Sequence, residues 1–132
     1  MDFLSIRIIT ADVARLVDFY ERATGVGADW STPDFAELRT ASATLAIAGT
    51  RTVPLFAPGS AEPAANRSVV LEFLVDDVDG AHRRLRADVP EFVTEPTTMP
   101  WGNRSLLFRD PDGNLVNFFT PVTETAKARF TR

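Results

Sequence analysis

The chain has 132 residues, 45% of them hydrophobic, with ten Phe and a formal net charge of −4. That length suits one domain able to bury about two thirds of its unfolded surface, and the apolar content excludes a disordered chain. Mild acidity without a basic block argues against nucleic acid. The lack of Cys excludes disulfides, thiolate ligands and a Cys nucleophile, and a single histidine, His82, excludes any site needing two from one chain.

The opening MDFLSIRIIT has no basic n-region and no long apolar run, so neither a signal peptide nor a membrane span is expected and the expected location is the cytoplasm. Residues 3–10, FLSIRIIT, are apolar and β-branched and predict a strand. Asp12 then caps a predicted helix whose stripe is Val13, Leu16, Val17 and Tyr20, and Gly25 closes it as a left-handed C-cap. A loop, GVGADWSTPD, follows. Strands are predicted near 35–40 and 43–48, with a short one near 52–56, and the Pro/Ala/Gly-rich stretch 57–67 reads as a linker.

The pattern then repeats. A predicted strand over 68–75 leads to Asp77, which caps a helix turning Val78, Ala81 and Leu85 inward, with Pro90 marking its end. Further strands are predicted near 92–95, 103–109 and 115–120, and the tail from 122 to 132 reads as a short helix or a frayed end. A shift of 65 residues lays Asp12-Val13 on Asp77-Val78, and a shift of 70 lays Leu38-Arg39 on Phe108-Arg109. The chain is therefore an internal duplication of a βαβββ unit, with module 1 over about 3–56 and module 2 over about 68–121. Neither half buries its sheet face alone, so a site is expected on the inner faces of both sheets, in a concavity where the modules meet.

Three segments carry a resemblance. SIRIITADVARLVDFYERATG, VVLEFLVDDVDGAHRRL and LLFRDPDGNLVNFFTP resemble the two module openings and the C-terminal hairpin of the vicinal oxygen chelate superfamily. That superfamily holds glyoxalases, extradiol dioxygenases, fosfomycin-type resistance enzymes and the metal-free bleomycin and mitomycin resistance proteins. The resemblance spans residues 3–121 and implies an α+β fold, with tandem βαβββ modules forming a curved mixed sheet around a cleft. It also implies a homodimer, in which modules are commonly exchanged between chains.

By the same resemblance, metal-using members place ligands at four positions, which fall here on Ser5, Ile47, Val70 and Asn117. Ile and Val cannot donate, and Ser and Asn are poor neutral ligands for Zn²⁺, Fe²⁺ or Ni²⁺. No metal and no cofactor are expected. Strand alternation puts Ser5, Arg7 and Ile9 on one face, and Val70, Glu72 and Leu74 on its counterpart, so Arg7 and Glu72 become symmetry mates expected to pair. The step Trp101-Gly102-Asn103-Arg104 is similar to one in the metal-free drug-binding members; Trp101 offers a stacking face, and Asn103 or Arg104 hydrogen bonds. Trp30, Phe35, Phe56 and Phe119 are candidates for an apolar wall.

The turn Asp110-Pro111-Asp112-Gly113-Asn114 reads as ordinary hairpin chemistry, with a divalent site lacking the other ligands it would need. His82 reads as a helix residue, and neither a nucleophile elbow nor a phosphate-cradling loop is present. The reading favours a metal-free binder of a small natural product or antibiotic, held in a dimer cleft, with no nucleic-acid or membrane partner. The alternatives are a metal-independent lyase or isomerase using Arg7 and Glu72, and a metal-dependent glyoxalase or dioxygenase.

Overall fold

A computed structural model describes residues 1–130 as two compact units, one over Met1–Asn66 and the other from Arg67 onward. The rest of the predicted tail, 131–132, lies outside the described residues.

The first unit begins with β1, Ser5–Thr10, shorter than predicted because Phe3 and Leu4 stay exposed ahead of it. Asp12 caps helix α1, Val13–Thr24, by accepting from the Arg15 N–H, and Gly25 ends it at φ +75°, its own N–H donating to the Glu21 carbonyl. Strands β2 (Asp29–Thr32), β3 (Phe35–Arg39) and β4 (Thr44–Gly49) complete a sheet ordered β1-β4-β3-β2, with β1 parallel to β4 and the other pairs antiparallel. Two expectations fail here. The Gly-rich loop contains β2, an exposed strand held by its pairing with β3. The strand predicted near 52–56 is a 3₁₀ turn, Thr50–Thr52, running into helix α2, Val53–Phe56, where Pro54 stands in the first turn and cannot supply a ladder N–H.

The second unit repeats this order. Strand β5, Val70–Leu74, precedes helix α3, Val78–Leu85, capped by Asp77 through the Gly80 N–H. The strand expected near 92–95 is divided into two short strands, β6 (Glu91–Phe92) and β7 (Thr97–Thr98), and both pair with β8, Asn103–Arg109. With β9, Leu115–Pro121, the sheet runs β5-β9-β8-β6, and β5 lies parallel to β9 as β1 does to β4. A final helix, α4 (Glu124–Arg129), is capped by the Thr123 hydroxyl.

Each unit packs its helix on one sheet face. In the first, Leu16, Tyr20, Ala36, Leu38 and Ile47 are almost fully buried; in the second, Val78, Leu85, Leu106, Phe108, Val116 and Phe118 are. Burial of this extent at about 25 cal/mol per Å² of apolar surface is what holds each sheet to its helix. His82 joins the second core, edge-on to Phe92 at 4.8 Å between ring centroids.

Register decides which residues share the opposite, open face. In the first unit Arg7 pairs with Ala46, and Ala46 with Glu37; in the second Glu72 pairs with Asn117, and Asn117 with Leu107. The structural mate of Asn117 is therefore Ala46. Ile47 pairs with Ile8 and Ala36 on the helix face and is fully buried, so its expected grouping with Ser5 is one residue out of register.

Candidate functional site

On the open face of the first sheet, Ser5 stands exposed at the start of β1 and Arg7 two residues on. The Arg7 guanidinium lies over the Phe35 ring at 4.7 Å and over the Phe56 ring at 5.2 Å, while Ala46 and Ala48 beside it are small and buried. Such contacts hold a cation by the ring quadrupole without neutralising it. The nearest in-register carboxylate on this face, Glu37, is committed to Arg39 at 3.1 Å, which also meets Asp29 at 4.0 Å. Those contacts raise the Arg39 pKa, the Glu37 hydrogen bond first.

Trp30 does not join this face. It pairs with Ala36, so it stands on the helix side, and with Ala14, Ser31, Thr32 and Pro33 it lines a shallow hollow beside α1.

On the open face of the second sheet the Asn117 amide donates to Glu72 Oε2 at 2.8 Å. A carboxylate only accepts, so this bond turns the amide nitrogen toward Glu72 and the carbonyl oxygen away. Among the described residues that oxygen is buried without a hydrogen-bond partner, and the side chain of its register neighbour on β8, Leu107, offers no donor. Val70 and Leu74 flank Glu72 on the same strand, 39% and 55% exposed, and give the carboxylate an apolar border. Phe119 also belongs to this face but is largely buried, with Phe130 of the tail against it at 5.2 Å between centroids. Where the sequence set Arg7 and Glu72 against each other, the contacts of each lie inside its own unit.

The Trp101 segment divides between the two faces. Met99-Pro100-Trp101-Gly102 is a tight turn between β7 and β8, closed by Gly102 N–H to the Met99 carbonyl at 2.9 Å, with Gly102 at φ +93°. Trp101 at its tip is 59% exposed. A side chain on Gly102 would collide with the Thr123 hydroxyl, and the Gly102 carbonyl accepts from Val122 N–H at 2.8 Å, so the tail is fastened to this turn. Asn103 lies on the open-face side, buried, with its side-chain oxygen unpartnered among the described residues. Arg104 points the other way: its Nε and Nη2 donate to the two Asp79 oxygens at 2.8 and 2.9 Å, and Nη1 to Thr98 Oγ1 at 3.2 Å. Its guanidinium is spent on the first turn of α3 rather than left for a ligand, and it holds the Asp79 carboxyl below the usual aspartate range.

The model of the Glyoxalase/Bleomycin resistance protein/Dioxygenase superfamily matches residues 3–118. The chain belongs to this superfamily. A solved glyoxalase/bleomycin resistance protein/dioxygenase from Nocardioides is 25% identical, with a TM-score of 0.75, covering 94% of this chain and 85% of that one. A glyoxalase/bleomycin resistance protein/dioxygenase family enzyme from Burkholderia phytofirmans PsJN superposes with a TM-score of 0.80 at 20% identity, covering 92% of this chain and all of that one. The uncharacterized protein YraH of Bacillus subtilis (strain 168) is 26% identical over 125 residues, 90% of this chain and 98% of its own length.

Membership in the superfamily raises the question of a metal. The residues at the implied positions do not fit one: Ser5, Val70 and Asn117 supply no imidazole or carboxylate, and neither Ile47 nor its in-register replacement Ala46 can donate. Among the described residues no group of three or more His, Asp or Glu side chains is placed to hold a metal ion, and no helix is long and apolar enough to cross a membrane.

Proposed function

We propose that this chain binds a small organic molecule without a metal, in the manner of the bleomycin resistance proteins, using the open faces of its sheets. The observation that carries the reading is the Glu72–Asn117 pair. An amide occupies the position where metal-using relatives place a carboxylate, and it is tied to a neighbouring carboxylate instead of being left to ligate. Binding needs no general acid or base: on the second sheet Glu72 and Asn117 orient a ligand that Val70, Leu74 and Phe119 border, and on the first sheet Arg7 offers a cation bordered by Phe35 and Phe56. Asn103 and Trp101 extend the same binding region along β8 and its turn. A natural product or antibiotic is the ligand class proposed, and a homodimer in the cytoplasm the form in which it is held.

Native mass spectrometry with elemental analysis of the purified chain tests this. Dimer mass, no stoichiometric transition metal and one-to-one ligand uptake without product support the reading. About one bound transition metal per chain would overturn it.

A second reading rests on the orientation of Glu72 by the Asn117 amide, which would also suit a proton-transferring carboxylate in a metal-independent isomerase or lyase. Turnover abolished by Glu72→Gln would favour it over the binder.

A further inference from the structure

Arg7 is a cation with an unusual set of neighbours. Its guanidinium lies beside the Phe35 and Phe56 rings on an exposed side chain, and among the described residues its N–H groups have no hydrogen-bond acceptor and no carboxylate at ion-pairing distance. Carboxylates elsewhere on this sheet and its turns are engaged with other arginines. Glu37, on the same face, is hydrogen-bonded to Arg39, Asp29 also faces Arg39, and Asp34 meets Arg51 at 3.7 Å. The neighbour on β4 is Ala46, where the second unit has Asn117, so no side-chain oxygen stands beside Arg7 in register.

We propose that Arg7 is the anchor for the carboxylate of a ligand with an apolar body. This rests on the binder reading and names the chemistry of its ligand. A guanidinium presents its donors as a planar fork that matches a carboxylate in two parallel hydrogen bonds, and ring contacts restrict how that fork can turn. The borders argue for an organic acid rather than a bare anion. Phe56 on α2 is 75% exposed and Phe35 is half-buried, both rings lying beside the guanidinium above the buried Ala46 and Ala48. A compact, strongly hydrated anion would gain nothing from those groups, whereas an aryl or alkyl carboxylate would cover them.

The test uses the full chain, ¹⁵N-labelled, with benzoate as probe and benzamide and inorganic phosphate as controls. Benzoate should shift the Arg7 Nε–H resonance and bind at least about tenfold more tightly than benzamide or phosphate. Arg7→Met should remove that preference, and Arg7→Lys, which keeps the charge but loses the fork, should retain only part of it. If Arg7→Met does not fold, Arg7→Lys and Phe56→Ser carry the comparison, each weakening benzoate selectively. Equal binding of benzamide, equal binding of phosphate, no benzoate binding, or a preference unchanged in the variants would each overturn the proposal. These outcomes are separable from the parent reading. A ligand held on the Glu72 face without any benzoate binding leaves the binder intact and removes the anchor; conversion of a bound acid to product does the reverse.

Discussion

The Asp79 carboxylate and the Arg104 guanidinium meet through two hydrogen bonds, one to each carboxylate oxygen at 2.8 and 2.9 Å, that join the first turn of α3 to β8. The Asp79 carboxyl is held below its ordinary range chiefly by the Arg104 hydrogen bond. A depressed folded-state pKa means that the contribution is fully present above the unfolded aspartate value and is lost as pH falls through the folded one. Both groups are solvent-accessible, so the effect is screened and modest. A double-mutant cycle of Asp79→Asn and Arg104→Met, followed by urea melts, should show a favourable coupling at neutral pH that shrinks on acidification below the usual aspartate range. A coupling independent of pH would contradict the assignment.

The hairpin turn is tied together by Asp110 as well as shaped by its Pro and Gly. This buried carboxylate accepts from the backbone N–H groups of Asp112 and Asn114 at 2.9 Å each, and from the Asn114 side chain at 2.8 Å. Both oxygens are engaged inside the turn, which also accounts for the site being structural rather than a cation ligand. Asp110→Ala should destabilise the chain by roughly 2–3 kcal/mol, because buried donors lose their acceptor. Asp112→Ala should cost less than half of that in the same denaturation experiment.

Register on β4 can be checked by stability alone. Ile47 is fully buried against α1, whereas Ser5 is exposed. Ile47→Ala should cost about 2–5 kcal/mol and Ser5→Ala within about 0.5 kcal/mol of nothing. Comparable losses at the two positions would mean that they share an environment, as the sequence alone suggested.

Asn117→Asp changes the shape of the side chain little and its chemistry entirely. The amide donor to Glu72 at 2.8 Å disappears and two carboxylates stand side by side. Like charges directly opposite on a sheet are destabilising, so stability at neutral pH should fall by roughly 1 kcal/mol. Protonation of either carboxylate restores a donor, so the loss should diminish as pH is lowered, in a thermal melt series against the parent chain.

Much of the fold was legible because its signals are local. Asp12 and Asp77 cap their helices through side-chain oxygens that reach only three residues along the chain, and the spacing of Val13, Leu16, Val17 and Tyr20 reports one buried stripe. What the sequence hid depends on partners distant in the chain. Strand β2 is exposed at all four positions and alternates nothing, so only β3 makes it a strand. The apolar run at 52–56 resembles a strand until Pro54 is taken at face value.

The candidate site shows the same division. Residue types sufficed to argue against a metal, and alternation placed Ser5, Arg7, Val70 and Glu72 on open faces. Counting from one module to the other did not find Ala46 as the mate of Asn117, because a linear offset carries no register across an insertion. Nor does composition say which cation is already paired. Arg104 and Arg7 look alike as letters; one is locked to Asp79, and the other is left with aromatic neighbours.

The tight turn at Trp101 has a consequence for the C-terminal helix. Gly102 both shapes that turn and receives the chain entering α4, through its carbonyl and through the space a side chain would take from Thr123. Detachment of the C-terminal helix would thus leave the Gly102 carbonyl without its Val122 donor and free the turn that carries Trp101. Tail docking and the entry to the strand that bears Asn103 are in this way one structural unit.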